Sequence, residues 1–358
     1  MERKLTDLIE LSADELHARI MAAKESLGKD LVILGHHYQR DDVICYADYR
    51  GDSLKLAQIA ANIRDAKYIV FCGVHFMAET TDILASDEQM VILPDLNAGC
   101  SMADMADEQE LEECWDVITA LYGDSIIPVT YVNSTAQVKA FVGKHGGLTV
   151  TSSNAERVLA HAFETKQRVL FLPDQHLGRN TGVKLGIPLQ QMCVYDPKEM
   201  EIEFPDGEGD PKMILWKGHC SVHTKFEPVH VQEVREKYPD IRVIVHPECP
   251  YETVRLADAN GSTNYIIQQI ERAPAGTKWA IGTEHNLVHR LAKEHPEQMI
   301  ISLNERICPC LTMNRIDRPH LLWALEQLCT DRSQPVIRVD QETAKWAKLA
   351  IDRMLEIS

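Results

Sequence analysis

Apolar residues fall in short blocks along this chain, and each block ends in a polar cluster. Three of them, LVILGHHYQ (31–39), IIPVTYVNS (126–134) and RVIVHPECP (242–250), have the length and continuous apolarity of buried strands. Each is followed by a helical stretch and a cluster of small hydroxyl residues: GDSLKLA (51–57), TSSNAERVL (151–159) and GSTNYII (261–267). A second apolar run comes next in each case, KYIVFCGVHFM (67–77), QRVLFLPDQHL (167–177) and TKWAIGTEHNL (277–287). A third run then ends at a cysteine: MVILPDLNAGC (90–100), KMILWKGHC (212–220) and QMIISLNERIC (298–308).

The spacing repeats as well as the pattern. His36 to Ser53 and His246 to Thr263 are both 17 residues, and Tyr131 to Ser152 is 21. The first cluster lies 64 residues from the closing cysteine in copy one, 89 in copy two and 62 in copy three. An acidic insertion at 195–212, which reads as a turn or hairpin, accounts for most of the excess in the middle copy. Short buried strands alternating with helices predict parallel α/β units. The expected fold is therefore three homologous α/β domains with short parallel sheets around a pseudo-threefold axis. The expected boundaries are 28–123, 124–238 and 239–340, with a helix within 1–27 and a closing helix at 341–358.

The formal net charge is −17, which argues against a nucleic-acid partner that would need a basic face to neutralise phosphates. No apolar run approaches a membrane span, and the first residues lack the apolar core of a signal peptide. The expectation is a cytoplasmic protein with no membrane partner. Ten cysteines in a reducing compartment are unlike a disulfide framework. Most of them read as small buried apolar residues.

In α/β units, ligands gather beyond the carboxyl ends of the strands. A common axis would bring His36, Tyr38, Tyr131, Asn133, His246 and Glu248 together there, with Ser53, Ser152 and Thr263 and one cysteine per copy. The histidines, Glu248 and Tyr38 are the candidate acid–base groups. The Ser/Thr clusters read first as helix N-caps, and three converging caps could grip a phosphate. Cys100, Cys220 and Cys308 are too dispersed for a structural zinc site. They suit a [4Fe–4S] cluster with one iron left open as a Lewis acid. Cys310 is the alternative third ligand, because His246 to Cys310 is again 64 residues. His219 and His223, beside Cys220, read as supporting or surface groups.

The motifs GHHYQ (35–39), GDSL (51–54), GCSMAD (99–104), YVNST (131–135), TSSNA (151–155), GHCSVH (218–223), HPEC (246–249), GST (261–263), GTEHNL (282–287) and CPCLTMNRI (308–316) together resemble the quinolinate synthase family, in its longer, Bacillus-like type. The resemblance runs from about residue 28 to the C-terminus. It implies three homologous α/β domains and an oxygen-sensitive [4Fe–4S] cluster held by one cysteine per domain. The implied reaction condenses iminoaspartate, made by L-aspartate oxidase, with dihydroxyacetone phosphate. Quinolinate, phosphate and water are released in de novo NAD synthesis. The implied cluster ligands are Cys100, Cys220 and a cysteine of CPCLTMN. Motif register favours Cys308 there, and repeat spacing favours Cys310. The family's substrate positions fall on His36, Ser53, Tyr131, Val132, Asn133, Ser152, His246, Pro247, Glu248 and Thr263, with Tyr38 implicated in proton transfer. At Val132 and Pro247 the contact would come from backbone or shape.

Overall fold

The computed structural model describes residues 5–205, 209–330 and 335–357. Residues 206–208 of the acidic insertion lie outside these. The chain packs as two compact units, Met1–Cys100 with Pro309–Val339, and Ser101–Cys308 with Asp340–Ser358.

In the first unit, β1 (Leu31–His36), β2 (Tyr49–Gly51), β3 (Tyr68–Cys72) and β4 (Met90–Ile92) form a parallel sheet in the order β2-β1-β3-β4. All five residues of β3 are buried. Continuous burial is expected of a parallel strand covered by helices on both faces. The predicted helix near the start spans Ala13–Leu27. Ser12 and Glu15 close a capping box at its head.

The second unit holds two sheets. The larger comprises β5 (Ile126–Tyr131), β6 (Leu148–Val150), β7 (Arg168–Leu172), β8 (Met192–Asp196), β9 (Glu201–Glu203) and β10 (Met213–Trp216), in the order β6-β5-β7-β10-β8-β9. The smaller has β11 (Arg242–Val245), β12 (Ala259–Asn260), β13 (Lys278–Gly282) and β14 (Met299–Ser302), in the order β12-β11-β13-β14. All three sheets therefore share one parallel four-strand order, as the repeats require. The first and third copies even reuse one turn device. Asp48 accepts a hydrogen bond from the Ile33 amide and Asp258 from the Val243 amide, each at 2.7 Å.

Several elements were absent from the sequence pattern. The edge strands β2, β6 and β12 are two or three residues long, too short to show a period. In the middle copy β8 is an added strand, and β9 pairs back on it antiparallel to make the hairpin that the acidic insertion suggested. Residues 309–330 and 335–339 pack in the first unit, where β15 (Val336–Ile337) runs antiparallel to β4. The closing helix, Gln341–Ile357, packs on the helix Ala136–Lys144 of the second unit. A Cβ at Gly143 would run into the Trp346 carbonyl, so only glycine permits this approach. No helix among the described residues is long and apolar enough to cross a membrane.

Candidate active site

In the second unit the polar residues sit just past the carboxyl ends of β5, β7, β10, β11 and β13. Glu248 is 3% exposed and lies at the centre. The Tyr131 hydroxyl donates to its Oε1 at 2.6 Å, and His223 Nδ1 lies 2.7 Å from its Oε2. A carboxylate only accepts, so His223 carries its proton on Nδ1. Its Nε2 lies 3.1 Å from the Thr283 hydroxyl, and Nδ1 is also 3.2 Å from Cys220 Sγ. The His223 and His246 rings stack with centroids 4.5 Å apart.

Burial alone would raise the Glu248 carboxyl. His223 and His246, with the hydrogen bonds from His223 and Tyr131, instead hold it well below the usual range. Burial pushes His246 down to about 3 against the pull of Glu248, so that ring is neutral at pH 7. The Glu248 amide donates to His246 Nδ1 at 3.3 Å, which leaves the ring proton on Nε2. The first unit repeats this device. There the Tyr38 amide donates to His36 Nδ1 at 3.1 Å, and the two rings meet edge to face. Each His-x-Tyr or His-x-Glu turn thus orients its histidine through the amide two residues on.

Asp174, fully buried at the end of β7, is a second acid beside Glu248. Its Oδ1 caps the next helix, accepting from the amides of His176 and Leu177. Burial and the Glu248 charge push its carboxyl well above the usual range. The two neighbouring buried acids are thus driven in opposite directions.

The hydroxyl clusters sit at helix starts, with a correction. The N-caps are Asp52, which accepts from the Lys55 amide at 2.9 Å, and Ser262, which accepts from the Tyr265 amide at 3.2 Å. Ser53 and Thr263 are the first helical residues instead. Ser152 lies in a turn before the helix Ala155–Thr165, held by Thr151 and Asn154. Ser152, Pro247, Ser262 and Asn180 line a cleft of about 330 Å³. Asn180 Nδ2 donates to the carbonyls of Pro247 and Cys249, at 2.8 and 2.9 Å, and so braces the turn that carries Glu248. The Val132 amide is committed to Val150 O at 2.8 Å, which leaves its carbonyl and shape for any contact. Asn133 Oδ1 is buried without a hydrogen-bond partner among the described residues.

Within the second unit the structure thus assembles Tyr131, His246 and Glu248 as anticipated from sequence. It adds His223, Thr283, Asp174 and Asn180. His223 is 2% exposed rather than peripheral. Its Cys-x-x-His spacing was the visible signal, because three residues make about one helical turn. Thr283 lies in the GTEHNL motif without having been singled out there, and Asp174 and Asn180 carried no signal.

Burial sets four of the cysteines apart, whereas Cys45 and Cys329 are exposed like Cys308. Cys72, Cys114, Cys193 and Cys249 are buried, and burial raises their thiols, to about 12 for Cys72 and Cys193. A thiolate ligand is costly there. Cys100, Cys220 and Cys310 are partly exposed and Cys308 is exposed, all on loops after strands. Accessible thiols on loops are the donor type that an iron–sulfur cluster takes. Cys220, His223 and Glu248 also place donor atoms within 4.8 Å of one another. Because Glu248 is already bound by Tyr131 and His223, this trio is a hydrogen-bond chain ending at a cysteine.

Fold and site are those of an α/β enzyme with acid–base groups buried at strand ends. The chain belongs to the quinolinate synthetase A family (NadA), whose sequence profile matches residues 18–356. It is 58% identical over 345 residues to the quinolinate synthase of Anoxybacillus flavithermus, covering 96% of this chain and 94% of that protein. It is 58% identical over 349 residues to the quinolinate synthase of Bacillus subtilis, with 98% and 95% covered. The Bacillus anthracis quinolinate synthase is 56% identical over 346 residues, with 97% and 94% covered.

Proposed function

We propose that this chain is a transferase that condenses iminoaspartate with dihydroxyacetone phosphate to form quinolinate, releasing phosphate and water, in cytoplasmic de novo NAD synthesis. The observation that carries the reading is the buried chain Tyr131–Glu248–His223 in a member of this family. Cys100, Cys220 and Cys308, with Cys310 as the alternative to Cys308, would hold a [4Fe–4S] cluster. When bound, that group supplies Lewis acidity toward a departing hydroxyl.

The protein's own groups divide the remaining work. Building an aromatic ring from two acyclic molecules needs C–C bond formation, imine formation and loss of hydroxyls. His246 and His36, each with its proton on Nε2, donate to substrate carbonyl or carboxylate oxygens. Glu248 is a weak base because its charge is so well stabilised. It suits holding and relaying a proton delivered along Tyr131 and His223. Tyr38 is the better group for giving a proton to a leaving oxygen or taking one from a carbon. Tyr131, Val132, Asn133, Pro247 and the histidines orient the substrates. Ser53, Ser152 and Thr263 bind phosphate at helix starts.

Iminoaspartate hydrolyses in water, so its supply has to be coupled in time to L-aspartate oxidase. The decisive test uses Tyr38→Phe and Glu248→Gln, purified anaerobically and given both substrates with iminoaspartate generated in place. Both should carry a normal cluster, make little or no quinolinate and accumulate a condensed, non-aromatic intermediate. Near-normal quinolinate from both would refute the assignment.

A further inference from the structure

Two loops of the first unit carry cysteines, and one ion pair joins them. The segment from Asp95 to Cys100 follows β4. Asp95 organises it through Oδ1, which accepts from the Asn97 amide at 2.9 Å and from Asn97 Nδ2 at 3.0 Å. The Ala98 amide donates to Asp95 O and the His75 amide to Ala98 O, so the approach to Cys100 is pinned at both ends. The second loop runs from Pro309 to Arg315. Asn314 donates to Cys310 O through both its amide and its Nδ2, at 3.0 Å each. The Cys310 and Thr312 side chains lie 3.4 Å apart. Arg315 then reaches back, and its Nε donates to Asp95 Oδ2 at 2.8 Å. His320 Nε2 stands 3.8 Å from the same oxygen, behind a 2.7 Å contact between His320 Nδ1 and Asp317.

The two partners differ in exposure. Asp95 is 7% exposed and Arg315 is 46% exposed. Burial would raise the Asp95 carboxyl, but Asn97, Arg315 and His320 bring it below its usual value. An ion pair with one open end adds little to global stability. Its effect is local: it sets the position of one cysteine loop against the other.

We propose that the Asp95–Arg315 pair is a latch that presets, for cluster binding, the Cys100 loop and the Pro309–Arg315 loop, which follows directly on Cys308 and carries the alternative ligand Cys310. Asp95 and Arg315 are positioning residues that touch neither substrate nor iron. The inference rests on the cluster assignment proposed above. Supporting groups around a metal site commonly change metal retention by about ten- to a hundredfold.

The test compares Arg315→Gln, Asp95→Asn and the double variant, all reconstituted anaerobically. Asparagine at 95 keeps an acceptor for Asn97 and removes the charge that Arg315 needs. The readouts are the rate at which iron passes to a chelator, the parallel loss of visible absorbance, and the thermal midpoint. Each single variant should lose iron roughly tenfold faster, with the midpoint within about 2 °C of wild type. The double variant should be no faster than either single one, because both remove the same contact. Arg315→Lys, which keeps a cation near Asp95, should recover part of the retention. Wild-type rates in both single variants, or additive effects in the double, would overturn the latch. A wild-type protein that takes up no cluster would overturn the cluster assignment and the latch with it.

Discussion

Replacing Tyr131 by phenylalanine removes one oxygen and leaves the ring. That oxygen donates to Glu248 Oε1 at 2.6 Å, and Tyr131 is 4% exposed. A hydrogen bond to a charged group is worth roughly 1.5–3 kcal/mol. Losing it raises the Glu248 carboxyl by about one to two pH units, at 1.36 kcal/mol per unit. The sign follows from linkage. The folded carboxyl is depressed, so its stabilising contribution is present above the unfolded value and is lost as pH falls through the folded one. At neutral pH the variant should therefore be less stable by the full amount. For a unit of this size that is roughly 3–12 °C in thermal midpoint, at about 2–4 °C per kcal/mol. The gap should be full at neutral pH, begin to close as pH falls to where the variant's raised carboxyl protonates, and vanish once the wild-type carboxyl protonates as well. Differential scanning calorimetry across this range, alongside quinolinate formation, measures both effects. A variant with the wild-type midpoint at pH 7 and full activity would refute the claim that this hydrogen bond holds the Glu248 charge.

The cysteine assignment predicts that Cys100→Ser and Cys220→Ser lose the cluster, while Cys72→Ser and Cys193→Ser keep it by iron and sulfide analysis. Of the CPC pair, Cys308→Ser should lose it and Cys310→Ser should largely retain it, and the reverse result would move the ligand to Cys310. Phosphate recognition should be uneven. The Asp52 carboxylate caps the helix at Ser53 and repels an anion, whereas neutral Ser262 caps the helix at Thr263. Thr263→Ala should therefore raise the KM for dihydroxyacetone phosphate more than Ser53→Ala does, and equal effects would remove that argument. The hydrogen bond and charge of Asp317, with Asp95 adding to it, raise His320 above its ordinary value. Its contribution to stability is thus present below the unfolded value and lost as pH rises through the folded one. The gap in thermal midpoint between wild type and His320→Gln should be widest below the ordinary histidine value and narrow as pH rises above it.

The runs that became β1, β5 and β11 were legible because a strand buried on both faces must be apolar along its whole length. Their polar ends were legible because ligand-facing groups collect where such strands stop. The threefold repetition of that pattern marks His36, Tyr131, His246, Glu248 and the loop cysteines in the sequence itself. Other features depend on residues far apart in the chain. His223 bonds to Glu248 across 25 residues and to Thr283 across 60, and Arg315 reaches Asp95 across 220. No local period encodes such pairs. The hydroxyl clusters read as caps, and Ser262 of GST does cap its helix, but at GDSL the cap is Asp52 rather than Ser53, because neighbouring polar residues compete for one amide and only the backbone path selects between them. The charge states follow the same division. A sequence names Glu248 and Asp174 as acids of similar strength. Burial beside His223 and Tyr131 in one case, and beside the Glu248 charge in the other, drives them apart.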